Sequence, residues 1–121
     1  MIKDSFCSKN LLDILKDTEF YDVICESIGE SISKSEFTSL EITHSLVLNW
    51  LRLAKQYYIT IMLDSYTESI QGHCGYYSVI QKINHKFELI SPVFDDPDKV
   101  FFDDPDEVTE KTIEYVIQNL I

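Results

Sequence analysis

A short duplication restricts the folds open to this chain more than any other feature. Phe94-Asp95-Asp96-Pro97-Asp98-Lys99-Val100 recurs eight residues later as Phe102-Asp103-Asp104-Pro105-Asp106-Glu107-Val108. Neither copy suits a helix interior or a central strand. Proline lacks the N–H that those positions use, and ionised carboxylates are costly to bury. The segment must therefore run over the surface, closing one element before it and opening another after it. The second copy reads as a helix start, with Asp104 as N-cap, Pro105 at the first helical position and Glu107 at the capping-box position. Acids in a first turn also suit the helix dipole. Beyond it, Ile113, Val116, Ile117 and Leu120 recur at i, i+3, i+4 and i+7, which predicts an amphipathic helix. Two copies are too few for a solenoid.

The duplication also gathers the charge. The chain of 121 residues has 21 acids against 10 bases, a net −11, and Arg52 is its one arginine. Between Asp95 and Glu110, eight acids and the single base Lys99 amount to −7 within sixteen residues. Such a balance repels phosphate backbones and anionic lipid, so direct binding to nucleic acid or a membrane surface is disfavoured. It favours fast, salt-sensitive association with a basic protein surface. In the first copy Lys99 stands where an acid would complete a capping box, so helix entry explains that copy less well. Val100, Phe101 and Phe102 set apolar bulk between two acidic clusters. Aromatic side chains anchor interfaces, while charges steer approach and exclude wrong partners. The expected partner-binding residues are Asp95, Asp96, Asp98, Phe101, Phe102, Asp103, Asp104 and Asp106. Capping is the competing role for Asp104, Asp106 and Glu107.

The remaining pattern predicts an α+β chain: N-terminal helices, a small antiparallel sheet of about three strands and the C-terminal amphipathic helix, as one domain over residues 1–121. Hydrophobic residues make up 45%, enough for a core at this length. Ser8 caps a first helix near Lys9, on which Leu11 to Leu15 face one way. Phe20, Tyr21, Val23, Ile24 and Ile28 face nearly opposite, so a break near Asp17-Thr18 makes two helices, and Gly29 stops the second. Residues Glu30 to Thr43 read as a loop with a turn of helix. From Ser45 to Lys55 a helix carries Leu46, Trp50, Leu53 and Ala54 on one side. Tyr57 to Leu63 is β-branched and aromatic, hence a strand. Ser65 to Gly75 is polar connection. Tyr76 to Ile83 and Lys86 to Ile90 form a hairpin around Asn84-His85, which Pro92 ends. Tyr57, Tyr58, Tyr66, Tyr76 and Tyr77 gather in this region; exposed on a sheet face, they would form a second contact surface.

No catalytic constellation emerges. Calcium-loop ligands counted from Asp96 fail at Val100, those from Asp104 fail at Val108, and the required glycine is missing. Cys7, Cys25 and Cys74, with His44, His73 and His85, contain no close ligand pair for zinc. Gly72-His73-Cys74-Gly75 alone resembles a reactive thiol site, and its glycines indicate a tight turn instead. Phosphate-cradling glycine loops and serine-nucleophile elbows are absent from the sequence. We expect no catalytic residues, no metal and no cofactor. The start lacks the basic-then-apolar order of a secretory signal. The longest nearly apolar run, Ser45 to Ala54, is broken by Asn49 and Arg52, so the expected location is the cytoplasm.

In size, charge and the acidic, aromatic-bearing segment from Asp95 to Glu110, the chain resembles the small immunity proteins of bacterial toxin–immunity systems, including those of contact-dependent growth inhibition. That resemblance implies a cognate toxin domain, often a nuclease, whose basic active site the immunity protein blocks or covers. The chain is also similar to type III secretion chaperones, which are small, acidic and α+β. That second resemblance implies a homodimer holding an effector segment in extended form. Its helix–strand order is less interleaved than theirs.

Overall fold

Each helix begins where a short polar side chain replaces a missing backbone acceptor. The computed structural model describes residues 5–64, 75–83, 87–96 and 101–121, and among them five helices and three strands. Ser8 accepts from the Leu11 N–H at 3.1 Å and opens α1, Lys9–Leu15. Thr18 accepts from Phe20 at 3.2 Å and opens α2, Glu19–Ile28. Ser33 opens the single turn α3, Lys34–Phe37, and Thr43 opens α4, His44–Ala54. Asp104 accepts from the Asp106 N–H at 2.9 Å, with Pro105 next, and opens α5, Pro105–Asn119. These caps satisfy donors that no preceding turn can reach. Gly29 ends α2 at φ 87°, a left-handed conformation that costs glycine little.

Strands β1, Tyr57–Asp64, β2, Gly75–Ile83, and β3, Phe87–Ile90, form one antiparallel sheet in the order β1-β2-β3. Tyr57 pairs with Lys82, Ile59 with Ile80 and Ile61 with Ser78; Ile80 pairs in turn with Ile90. Side chains alternate across a strand, so Tyr57, Ile59, Ser78, Ile80 and Ile90 turn toward the helices, and α4 and α5 pack there. The hairpin expected between residues 83 and 87 is present in register, while its turn, Asn84 to Lys86, lies outside the described residues.

The core is one cluster running from α1 to α5. Leu11, Leu15, Phe20, Phe37, Val47, Leu51, Ile80, Ile113 and Val116 are all buried in it. Phe20 meets Phe37 edge to face at 6.3 Å and Trp50 at 5.3 Å. At about 0.8 kcal/mol per buried CH₂ group, burial of this kind is the main driving force for the fold.

The inward face of α4 differs from the expected one. His44, Val47, Trp50 and Leu51 are buried, whereas Leu46 and Leu53 are 45% and 69% exposed and Ala54 is exposed. Apolar residues occupy most positions of this helix, so its 3.6-residue period admits more than one apolar stripe. Packing selects the stripe in which Val47 and Leu51 flank Trp50, since that one meets both α5 and β1.

Candidate protein-docking site

Phe102 anchors the acidic segment. Its N–H donates to the Tyr76 carbonyl at 2.9 Å, and the Tyr76 N–H donates back to the Phe102 carbonyl at 2.7 Å. This closed pair extends the sheet beyond the short β3, along the same edge of β2. The Phe102 ring is only 4% exposed and meets Phe94 edge to face at 5.2 Å. The equivalent phenylalanines of the two copies therefore pack on each other. Phe102 was expected to be part of the contact surface; it is an internal anchor instead. An aromatic ring gains more by replacing water with protein on both sides than by lying at the rim of a loop.

Phe101 takes the opposite side. Alternation turns it toward the sheet's outer face, where it is 38% exposed and meets Tyr77 edge to face at 5.9 Å. Gly75 makes this approach possible, because a Cβ there would stand 2.8 Å from the Phe101 Cβ and 3.1 Å from the Phe102 carbonyl. By register, the outer face carries Tyr58, Thr60 and Met62 from β1, Tyr77, Val79, Gln81 and Ile83 from β2, and Leu89 from β3. All of these are at least partly exposed, and none is charged.

The carboxylates divide by role. Asp95, Asp96, Asp103 and Asp106 are exposed. Asp104 is also exposed, yet its side chain caps α5. Asp98 lies outside the described residues, as do Tyr66, His73, Cys74 and His85. Glu110, the last acid of the cluster, is structural: its Oε1 accepts from the Ser8 N–H at 2.6 Å and lies 3.3 Å from His44 Nε2. It thereby ties the starts of α1 and α4 to α5. Further along α5, burial pushes the Glu114 carboxyl above its usual pKa, with Lys111 and the Asn10 amide pulling the other way.

Chemically, the arrangement offers an aromatic and aliphatic sheet face with Phe101 at its edge next to Asp103, while Asp95 lies on the helix side in a cleft with Lys111, Glu114 and Tyr115 of α5. Phe101 joins the sheet face to the acidic segment, since it packs on Tyr77 and stands two residues before Asp103. Sequence reasoning placed the acids and the tyrosines separately; the Tyr76–Phe102 pairing that makes them neighbours had no local signal. Among the described residues, three or more metal-ligating side chains converge nowhere, and no helix is long and apolar enough to cross a membrane. No protein-family model matches the chain, and neither a curated protein nor a solved structure shows significant similarity to it.

Proposed function

We propose that this chain is an immunity-type protein that binds and neutralises a basic, nuclease-like toxin domain. One observation carries the reading: Phe101, exposed on an aromatic sheet face and packed on Tyr77, stands between the two acidic clusters of the duplicated segment, two residues before the exposed Asp103. A basic catalytic cleft meets such a surface twice over. Its cations approach the carboxylates, which raises the encounter rate, and its apolar rim covers Phe101, Tyr77 and Met62, which slows release.

The test takes as partner a basic domain sought in the gene next to this one. Replacing Asp95, Asp96, Asp98 and Asp103 together by Asn leaves the cap at Asp104 intact. Association measured at low salt is expected to slow by about tenfold or more, with dissociation little changed, as for other steered encounters. Phe101→Ala is expected to act chiefly on dissociation. An association rate that the four substitutions leave untouched at low ionic strength overturns the proposal.

The apolar and aromatic sheet face also favours a second reading, a secretion chaperone that pairs with itself through that face. Sedimentation distinguishes the two, because the chaperone requires a stable dimer at micromolar concentration and the immunity protein does not.

A further inference from the structure

Among the described residues the chain's one arginine, like Lys9 and Lys82, makes no ion pair with an acid. Lys16 pairs with Asp13, Lys34 with Asp17, Lys55 with Glu19 and Lys111 with Glu114. Arg52 has no carboxylate within 4.0 Å among the described residues, in a chain that carries 21 acids. It is nevertheless held in place: Nη2 donates to Asn49 Oδ1 at 2.8 Å, and the guanidinium lies 5.8 Å from the centre of the Tyr58 ring. A guanidinium has five N–H donors, so most of the fork remains available.

Arg52 lines a cavity of about 260 Å³ between α4 and β1, together with Ser45, Leu48, Asn49, Tyr58 and Ile59. At about 100° per residue, Ser45, Asn49 and Arg52 form an exposed polar stripe on the side of α4 opposite the buried Val47, Trp50 and Leu51, and this stripe forms one wall of the cavity, which is open to solvent.

We propose that this cavity is a carboxylate-binding site, taking one carboxylate on a short apolar or aromatic stem. The planar fork of Arg52 matches a carboxylate in bidentate geometry, the Asn49 and Ser45 side chains border it, and Leu48, Ile59 and the Tyr58 ring receive the stem. A single guanidinium balances a single negative charge. A dianion would keep one charge uncompensated against a body of net −11, which selects carboxylate over phosphate. The volume lies just below the roughly 300 Å³ at which ordinary ligand pockets begin, so the guest has the size of a side chain or a small organic acid.

The experiment exploits the solitary arginine, whose Nε–Hε group gives one NMR signal in the ¹⁵N-labelled full chain. Benzoate, N-acetyl-glutamate N-methylamide and inorganic phosphate are titrated separately. We expect saturable movement of the Arg52 signal and of the Tyr58 and Ile59 amides with at least one carboxylate, at a Kd of about 1–10 mM, typical of a single weak site. Tighter binding of benzoate identifies a free organic acid as the guest, and tighter binding of the blocked glutamate identifies a protein side chain. Arg52→Gln is expected to abolish the movement of the Tyr58 and Ile59 amides. Arg52→Lys, which keeps the charge and loses the fork, is expected to weaken binding at least about fivefold. Arg52 is exposed, so an unchanged melting temperature verifies that both variants fold. Drift without saturation for both carboxylates overturns the site, as do amide movements that survive Arg52→Gln or phosphate binding as tight as either carboxylate. The titration needs no protein partner, so its outcome is independent of the docking reading.

Discussion

Two hydroxyls under the sheet show how strictly the core accounts for its polar atoms. Ser78 and Thr112 are buried with their oxygens 2.7 Å apart, and Thr112 also donates to the Val108 carbonyl at 2.6 Å. One hydroxyl carries one proton, so Ser78 is the donor to Thr112 and depends on it. Thr112→Val, nearly the same shape, is expected to strand the Ser78 proton and cost about 1–3 kcal/mol. Adding Ser78→Ala removes the stranded group and is expected to recover more than half of that loss. Urea unfolding of the two singles and the double measures the coupling, and additive losses would refute it. The Ser8–Glu110–His44 cluster follows the same logic, with one carboxylate serving two donors from distant parts of the chain. A carboxylate that does so is held in place by the fold, unlike Asp95 or Asp103, whose charge remains exposed to an approaching partner.

Between elements, the decisive junction is where the segment 101–102 lies on β2. The strand accepts it because Gly75 leaves room for Phe101, and the Tyr76–Phe102 hydrogen bonds then set which of the two rings faces out. Gly75→Ala places a methyl 2.8 Å from the Phe101 Cβ, closer than real Cβ atoms come, so the segment must shift. The expected cost is about 1–3 kcal/mol, the range for overpacking a close contact, again read by urea unfolding. Because the strain falls on Phe101, the same variant is expected to release a bound partner faster. Wild-type stability in Gly75→Ala would show that the pairing is loose. The edge of β2 is thus both a packing contact and the hinge of the proposed docking surface. Helix α4 shows another consequence of packing between elements. Once Trp50 is turned inward between Val47 and Leu51, the polar stripe of Ser45, Asn49 and Arg52 is left exposed on the opposite side, along the groove beside β1.

Over the whole molecule, two electrostatic effects of opposite sign compete. Exposed pairs such as Asp17–Lys34 and Glu19–Lys55 weaken with added salt, but each is worth little at the surface. The self-repulsion of a chain at −11 is relieved by the same salt and acts on the compact state more than on the unfolded one. The repulsion is the larger, so raising NaCl from about 10 to 150 mM, across which the Debye length falls from about 30 to 8 Å, is expected to raise Tm. A gain of about 1 kcal/mol corresponds to roughly 3–5 °C at this size, measurable by calorimetry. A falling Tm would mean that the ion pairs dominate. Association with a basic partner responds to salt in the opposite sense, so stability and binding separate cleanly in one titration.

Much of this organisation was legible in the residues themselves. Ser8, Thr18, Gly29 and the Asp104-Pro105 pair mark helix ends through contacts within three or four positions. The β-branched and aromatic residues of Tyr57 to Leu63, and the two runs flanking Asn84-His85, announce strands through the preferences of single segments. Charge is additive, so the placement of most of the net charge, −7 of −11, in one stretch needed no coordinates. What required the tertiary structure joins residues far apart in the chain: Tyr76 to Phe102, Ser8 to Glu110, Ser78 to Thr112. Phe101 and Phe102 are chemically identical neighbours, and only pairing with β2 sends one to solvent and the other to the interior. Local sequence determines where elements begin, end and alternate, because those choices are settled by nearby atoms. Which face turns inward is settled by the competition of distant surfaces for burial, and that competition exists only in the folded molecule.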